Sequence, residues 1–409
     1  MSGSVTERYL LLGLRLGRHV DGIVDAYYGP PELAEAVASA EPVEPRLLVE
    51  DAEALLHGVP DGWLRDQIAG LRTYASALAG DAATYSDEVE GCYGVRPPFT
   101  DEEVFAAAHA ELEQLLPGEG ALADRHERWK QETRVPADRL EPTLAGVIEA
   151  ARTWTRDAVG LPEGEGVSLE IVHDEPWMAF CEYRGGLQSH ISVNGDLPIA
   201  AVELLRLAIH ETYPGHHAES CSKDQLLVRG RGWLEETILL VPTPQSLVSE
   251  GIASVAPELL LEGEAGPTLA AIVHDAGVDF DLPHALAVER ALEPCEWAVV
   301  NAAVLLHECG ETVTEAQAYL RRWGLLSPEV AAHAVRFFEE PSSRTYILTY
   351  PAGLALCRAF VRATRDASGA SSPSGCASPS SSRPPTRPAR RFSGCKGSVR
   401  PCVRPARHG

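Results

Sequence analysis

An apolar run over residues 199–209 ends directly in His210-Glu211-Thr212-Tyr213-Pro214-Gly215-His216-His217. With only Glu203 and Arg206 charged, this run is apolar enough to be a buried helix, so any fold of this chain has to wrap other elements around it. The same helix has to break where its histidines begin. Pro214 lacks the amide that would bond to the His210 carbonyl, and Gly215 loosens the next position. The sequence therefore asks for a buried helix that delivers one histidine, a Pro-Gly kink, and a second stretch that delivers two more.

Three imidazoles and a carboxylate in eight residues form a metal-binding pattern. A zinc hydrolase helix commonly carries His-Glu-x-x-His, which sets two imidazoles one turn apart with the Glu beside the metal-bound water. Here the fourth position after His210 is Pro214, and the next histidines stand six and seven residues on. On an ideal helix seven residues return to about 20° from the start and six land about 120° away. That favours His217, but across a kink the ideal phase does not choose between His216 and His217. Zinc with three protein ligands keeps a fourth position open for water. Glu250, in Ser249-Glu250-Gly251-Ile252-Ala253, is the expected third ligand, because it shares a helical face with Leu247, Ala253 and Ser254. Glu219, Glu235 and Glu236 compete for the role. His307-Glu308-Cys309-Gly310 has no second histidine and reads as a helix end with a glycine cap.

The remaining pattern is mainly helical. An amphipathic helix is expected at the N-terminus, where Arg15 breaks what would otherwise resemble a secretory leader, and Tyr27-Tyr28-Gly29-Pro30-Pro31 should end it. Helices are expected at 32–40, 45–56, 63–78, 101–116 with Thr100 as cap, 122–132 and 142–158. The period then changes. Residues 167–173 alternate as a half-buried strand, and 178–183 with 187–193 read as a hairpin around Gly185-Gly186, giving a small antiparallel sheet beside the histidine helix. Asp196 is the expected cap of that helix. Further helices are expected at 233–240, from 244 with Thr243 as cap, and at 284–309, 314–322, 328–338 and 352–363.

Charge narrows the partners. A formal −24 over 409 residues argues against nucleic acid, whose binding depends on neutralising phosphates with Lys and Arg. No segment has the ~18 uninterrupted apolar residues needed to span a membrane. Nine scattered cysteines without CxxC pairs fit a reducing cytoplasm. Residues 1–366 read as one large domain, a helical half up to 160 followed by a catalytic half. Residues 367–409 form a Ser/Pro/Arg-rich basic tail whose composition fits disorder or an out-of-frame reading of GC-rich DNA.

His-Glu-x-x-Pro-Gly-His-His followed by Ser-Glu-Gly-x-Ala resembles the bacterial family known as domain of unknown function 885. That family is similar to the helical zinc peptidases such as thimet oligopeptidase and the thermostable carboxypeptidases. The resemblance extends over residues 9–362 and includes Val24-Asp25-Ala26-Tyr27-Tyr28-Gly29-Pro30, Pro176-Trp177, Ile191-Ser192-Val193-Asn194 and Thr349-Tyr350-Pro351-Ala352-Gly353. It implies a mainly α, zincin-like metallopeptidase fold with a deep cleft, and zinc held by His210, His216 and Glu250. His217 is then a neighbour or the alternative ligand, and residues 189–194 form a sheet edge along the cleft. The expected activity is hydrolysis of amide bonds in a peptide or small amide substrate. Glu211 would serve as general base, and Tyr350 or Tyr346 would donate to the oxyanion. Two rival readings are a metal-dependent hydrolase of a non-peptide amide or ester, and a catalytically silent helical scaffold.

Overall fold

The computed structural model describes residues 4–174 and 178–369. The Pro176-Trp177 pair of the resemblance, and the basic tail from 370 on, lie outside the described residues. The chain divides after Ala359, and the site lies wholly within the first unit; in the second, the last helix continues to Gly369.

The first half is helical: α1 (Val5–Leu16), α2 (Pro31–Ser39), α3 (Pro45–Gly58), α4 (Trp63–Leu78), α5 (Tyr85–Tyr93), α6 (Glu102–Leu115), α7 (Leu122–Glu132) and α8 (Leu140–Val159). The second half adds α9 (Ala201–Glu211), α10 (His216–Lys223), α11 (Pro244–Leu261) and α12 (Gly266–Asp275). It ends with α13 (Leu282–His307), α14 (Val313–Trp323), α15 (Pro328–Glu339) and α16 (Thr349–Gly369). The strands are β1 (Val24–Tyr27), β2 (Gly166–Val172), β3 (Ala179–Tyr183), β4 (Gln188–Asn194) and β5 (Ile238–Leu240). Among the described residues no helix is long and apolar enough to cross a membrane.

Most expected helices are present, and the departures matter for the site. The N-terminal helix stops at Leu16, before Tyr27-Tyr28-Gly29. Residues 24–27 form a strand that pairs antiparallel with β5. The helix expected at 233–240 is one short turn, Leu234–Thr237, followed by β5. Each segment is short, with Val24 and Tyr27 on one and Ile238 on the other favouring extended backbone, and a partner over two hundred residues away supplies its ladder. Helices α5 and α12 are additional to the expected set. Asp196 does not cap α9: Ala200 is the N-cap residue, and its amide donates to Glu203 Oε2 at 3.0 Å. Asp196 instead accepts from the Asp174 amide and pairs with the His173 ring.

The sheet next to α9 is mixed rather than antiparallel, in the order β2-β4-β3. The hairpin between β3 and β4 forms as expected, with Gly185 and Gly186 both at positive φ where side chains are disfavoured. Strand β2, however, lies parallel to β4 on its other side. Residues 189–194 are therefore central, and β2 and β3 are the two outer strands.

Two apolar cores flank the site. One gathers α1, α3, α4, α5 and the helices from α13 on; the other gathers α8, α9, α12 and the inner face of β4. Leu204, Leu205 and Ile209 of α9 are fully buried in the second core, each contributing ~1.5–3 kcal/mol. Helix α11 runs through both, with Leu247 in the first core and Ala256 and Leu260 in the second. Glu250 falls between them.

Candidate metal centre

Helix α9 ends at Glu211 because Thr212 leaves helical geometry (φ −120°, ψ −88°) and Pro214 follows. Chain direction changes over four residues, and α10 restarts at His216 with Gly215 as its N-cap residue. Only glycine fits there. A Cβ at position 215 would lie 1.9 Å from the His210 carbonyl oxygen and 2.5 Å from that of Ile209. The missing side chain lets the start of α10 press against the end of α9, and the His210 and His216 rings meet edge to face with centroids 4.7 Å apart.

Both rings face Glu250. His210 Nε2 lies 3.4 Å from Glu250 Oε2, and His216 Nε2 lies 3.5 Å from Oε1. One ligand atom from each of the three residues falls within 4.8 Å of the others. Glu250 is only 5% exposed, and its Oε2 is buried without a hydrogen-bond partner. A buried carboxylate oxygen left unsatisfied beside two imidazole nitrogens is a position that a cation completes. Two nitrogens and one oxygen suit zinc. The donors present fit the group.

The electrostatics of the triad are those of a carboxylate held between two imidazoles. Burial alone would raise the Glu250 carboxyl, but His216 and His210 outweigh it and hold Glu250 well below the usual carboxylate range. Burial likewise opposes charge on His216, and Glu250 overcomes it, raising that ring to about 9.

Outer contacts orient these three side chains. His216 Nδ1 donates to Ser249 Oγ at 3.2 Å, Ser249 donates in turn to Glu219 Oε2 at 2.6 Å, and Lys223 pairs with Glu219 Oε1 at 2.6 Å. A proton fixed on Nδ1 leaves Nε2 to present its lone pair once the ring is neutral. Tyr346, in the turn before α16, donates to Glu250 Oε1 at 2.5 Å. Glu219 is thus two hydrogen bonds removed from the His216 ring, and Glu235 lies elsewhere, accepting from Thr6.

His217 points away. It is fully buried, with Nδ1 2.7 Å from Ser189 Oγ on β4 and Nε2 3.1 Å from Glu165 Oε2. Glu165 also accepts from Tyr213 Oη at 2.5 Å and from Arg152 Nε at 2.8 Å. His217 therefore ties α10 to the sheet and to the loop before β2. The kink alters the rotational phase between α9 and α10, so the ideal-helix preference for His217 does not apply.

Glu211, 8% exposed, lines the same cavity of about 400 Å³ as His210, His216 and Glu250. Tyr350 lines it too, its ring edge-on to Tyr346 at 5.6 Å between centroids. Burial first, then Glu250 and Glu211, push the Tyr350 hydroxyl well up, so it stays a donor. The cavity also holds an acid outside the expected site. Asp25 on β1 faces the cavity; burial first, then Glu250 and Glu211 against the pull of His216, raises it to about 6. Its only signal was its place in Val24-Asp25-Ala26-Tyr27-Tyr28, where one acid interrupts an apolar stretch. His307 and Glu308 are structural, bonded to the Phe338 carbonyl and to Ser86.

No protein-family model and no curated protein matches the chain. Among solved structures it is similar to a "putative lipoprotein" of Colwellia psychrerythraea, with a TM-score of 0.50 and 15% identity over 82% of this chain and 59% of that one. It is also similar to a lipoprotein so described, of unknown function, from Shewanella oneidensis, with a TM-score of 0.50 and 13% identity over 90% and 69% of the two chains. The chain therefore spans about three-fifths of the length of the first. At such identities the likeness is one of fold, a mainly helical chain with small sheets.

Proposed function

We propose that this chain is a zinc-dependent hydrolase of amide bonds, acting on peptides or small amides, and that it belongs with the zincin-like helical peptidases. The observation that carries this reading is the convergence of His210 Nε2 and His216 Nε2 on Glu250, with the Glu211 carboxylate on the wall of the same cavity. A purely structural site needs ligands but no neighbouring base.

Zinc held by His210, His216 and Glu250 would supply a Lewis acid and a water acidified toward neutral pH. The chain supplies the rest. Glu211 takes a proton from the attacking water and passes it to the leaving amine, a role suited to a carboxylate shielded from bulk solvent. Tyr346 is committed to Glu250 and orients it. Tyr350, protonated and facing the cavity, donates to the oxygen that develops negative charge. Outer strand β3 contributes Ala179, Phe180 and Cys181 to the cavity wall, which supports an extended peptide lying beside that strand.

The test is metal stoichiometry combined with peptide-library hydrolysis by wild type and Glu211→Gln. The expected result is one zinc per chain in both proteins, with hydrolysis ~10²–10⁴-fold slower in the variant. A variant that retains zinc and hydrolyses as fast as wild type removes Glu211 as the base. A purified protein that binds no zinc when it is supplied sinks the whole reading.

A further inference from the structure

The cavity wall includes two residues that hydrolysis does not use, Gln245 at the start of α11 and Glu236 in the turn before β5. Both are nearly inaccessible, at 5% and 7% exposure. The Gln245 amide nitrogen Nε2 faces Glu236 Oε2 at 3.5 Å, while its backbone amide is anchored on Gln67 Oε1 at 2.9 Å. With Nε2 on Glu236, Gln245 Oε1 is left buried with no hydrogen-bond partner. Leaving such an acceptor unpaired and out of water is unfavourable. An unpaired acceptor next to a buried carboxylate calls for a hydrogen-bond donor.

Charge decides which donor. The cavity wall carries the carboxyls of Asp25, Glu211, Glu219, Glu236 and Glu250 against one ammonium, that of Lys223. Lys223 is paired with Glu219 at 2.6 Å, so it is not a free anchor for a substrate carboxylate. A dication at the triad would still leave the wall two negative charges in excess. A neutral amide or hydroxyl would satisfy Gln245 but not the charge, and an anion would be repelled. Burial pushes the Glu236 carboxyl up, against the pull of Lys223 and with the push of Glu235 and Glu219. A bound cation would reverse that shift.

We propose that Gln245 Oε1 and the Glu236 carboxylate form a subsite for an ammonium group of the substrate. The substrates are then amides that carry a free amine, either the α-amine of a short peptide or the cation of a basic side chain. The identity of the bond cut rests on the hydrolase reading, whereas the binding of the amine does not.

The experiment is calorimetric titration of the full chain, zinc-loaded and carrying Glu211→Gln so that probes persist. Three probes are compared: leucylglycinamide, N-acetyl-leucylglycinamide and N-acetyl-lysylglycinamide. At least one amine-bearing probe should bind tenfold or more tightly than the neutral one. Preference for the first identifies an α-amine subsite, and preference for the third a basic side-chain subsite. Adding Gln245→Leu or Glu236→Gln should abolish the preference while zinc stoichiometry stays at one per chain. Equal binding of all three probes, binding of none at millimolar concentration, or a preference that survives both substitutions overturns the subsite. The wild-type site decides the matter even where a substituted chain fails to fold. An amine preference in a protein that hydrolyses nothing would leave the subsite standing and remove only the hydrolase.

Discussion

Gly251 on α11 and Gly353 on α16 occupy each other's side-chain space. A Cβ on Gly251 would lie 2.3 Å from the Gly353 carbonyl oxygen, and one on Gly353 would lie 2.4 Å from the Leu247 carbonyl oxygen and 2.8 Å from the Gly251 amide nitrogen. Two bare backbones in contact bring the start of α16 against the turn of α11 that carries Glu250. Tyr346 thereby reaches Glu250, and Tyr350 reaches the cavity. Gly353→Ala should destabilise the protein by ~1–3 kcal/mol and weaken zinc binding, because the helices must separate. Urea unfolding and zinc titration measure the two effects. Unchanged stability would mean that the close approach does not hold the helices together.

His216 and His217 are adjacent in sequence and opposite in role, so their substitutions should part company. His216→Ala is expected to abolish stoichiometric zinc binding. His217→Ala should keep the zinc and lose ~1–3 kcal/mol of stability, since Ser189 and Glu165 each lose a buried hydrogen-bond partner while Glu165 keeps Arg152 and Tyr213. Metal analysis and denaturation of both variants check this. Zinc lost from His217→Ala but kept by His216→Ala would exchange the two assignments.

Zinc and a proton compete for His216. With the ring raised to about 9 in the metal-free protein, it is protonated at pH 7, and zinc must displace that proton. Zinc affinity should therefore rise about tenfold per pH unit between pH 7 and 9 and level off above, with about one proton released from this ring at neutral pH. In the metal-free chain the sign for stability is the opposite. The charged His216–Glu250 pair is fully present below the ordinary histidine range and is lost as pH rises through about 9. Proton release measured in two weak buffers of different ionisation enthalpy gives the count. Affinity independent of pH over this window would exclude His216 as a ligand.

Asp25 carries an electrostatic cost that asparagine would remove. Its carboxyl is raised from an ordinary value near 3.8 to about 6, so its contribution to stability is present below the unfolded pKa and lost as pH rises through the folded one. Asp25→Asn, compared with wild type in the absence of zinc, should gain stability steadily between pH 4 and 6 and hold a constant advantage of about 2–3 kcal/mol above that. Chemical denaturation at pH 5, 6 and 8 follows the curve. An advantage that does not grow with pH would show that Asp25 is not shielded as described.

The sequence by itself determined the local terms of this protein. Residues 199–209 could only be a buried helix, Pro214-Gly215 could only interrupt it, and the change of period after residue 166 could only announce strands. Those features are written in side-chain polarity and in the backbone limits of proline and glycine, which act over a few residues. The tertiary structure decided everything that depends on distant backbone. Strands β1 and β5 exist because each completes the other, and β2 chose a parallel partner that no local pattern specifies. The same holds at the site. Whether His216 or His217 meets His210 depends on the direction in which α10 leaves the kink, and Ser189 and Glu165 hold that direction from outside the motif. Glu250 takes its place because α11 runs between two cores, and the glycine pair 251–353 sets the tyrosines against it. A periodic sequence encodes which face of a helix is apolar, but not which helix that face will meet.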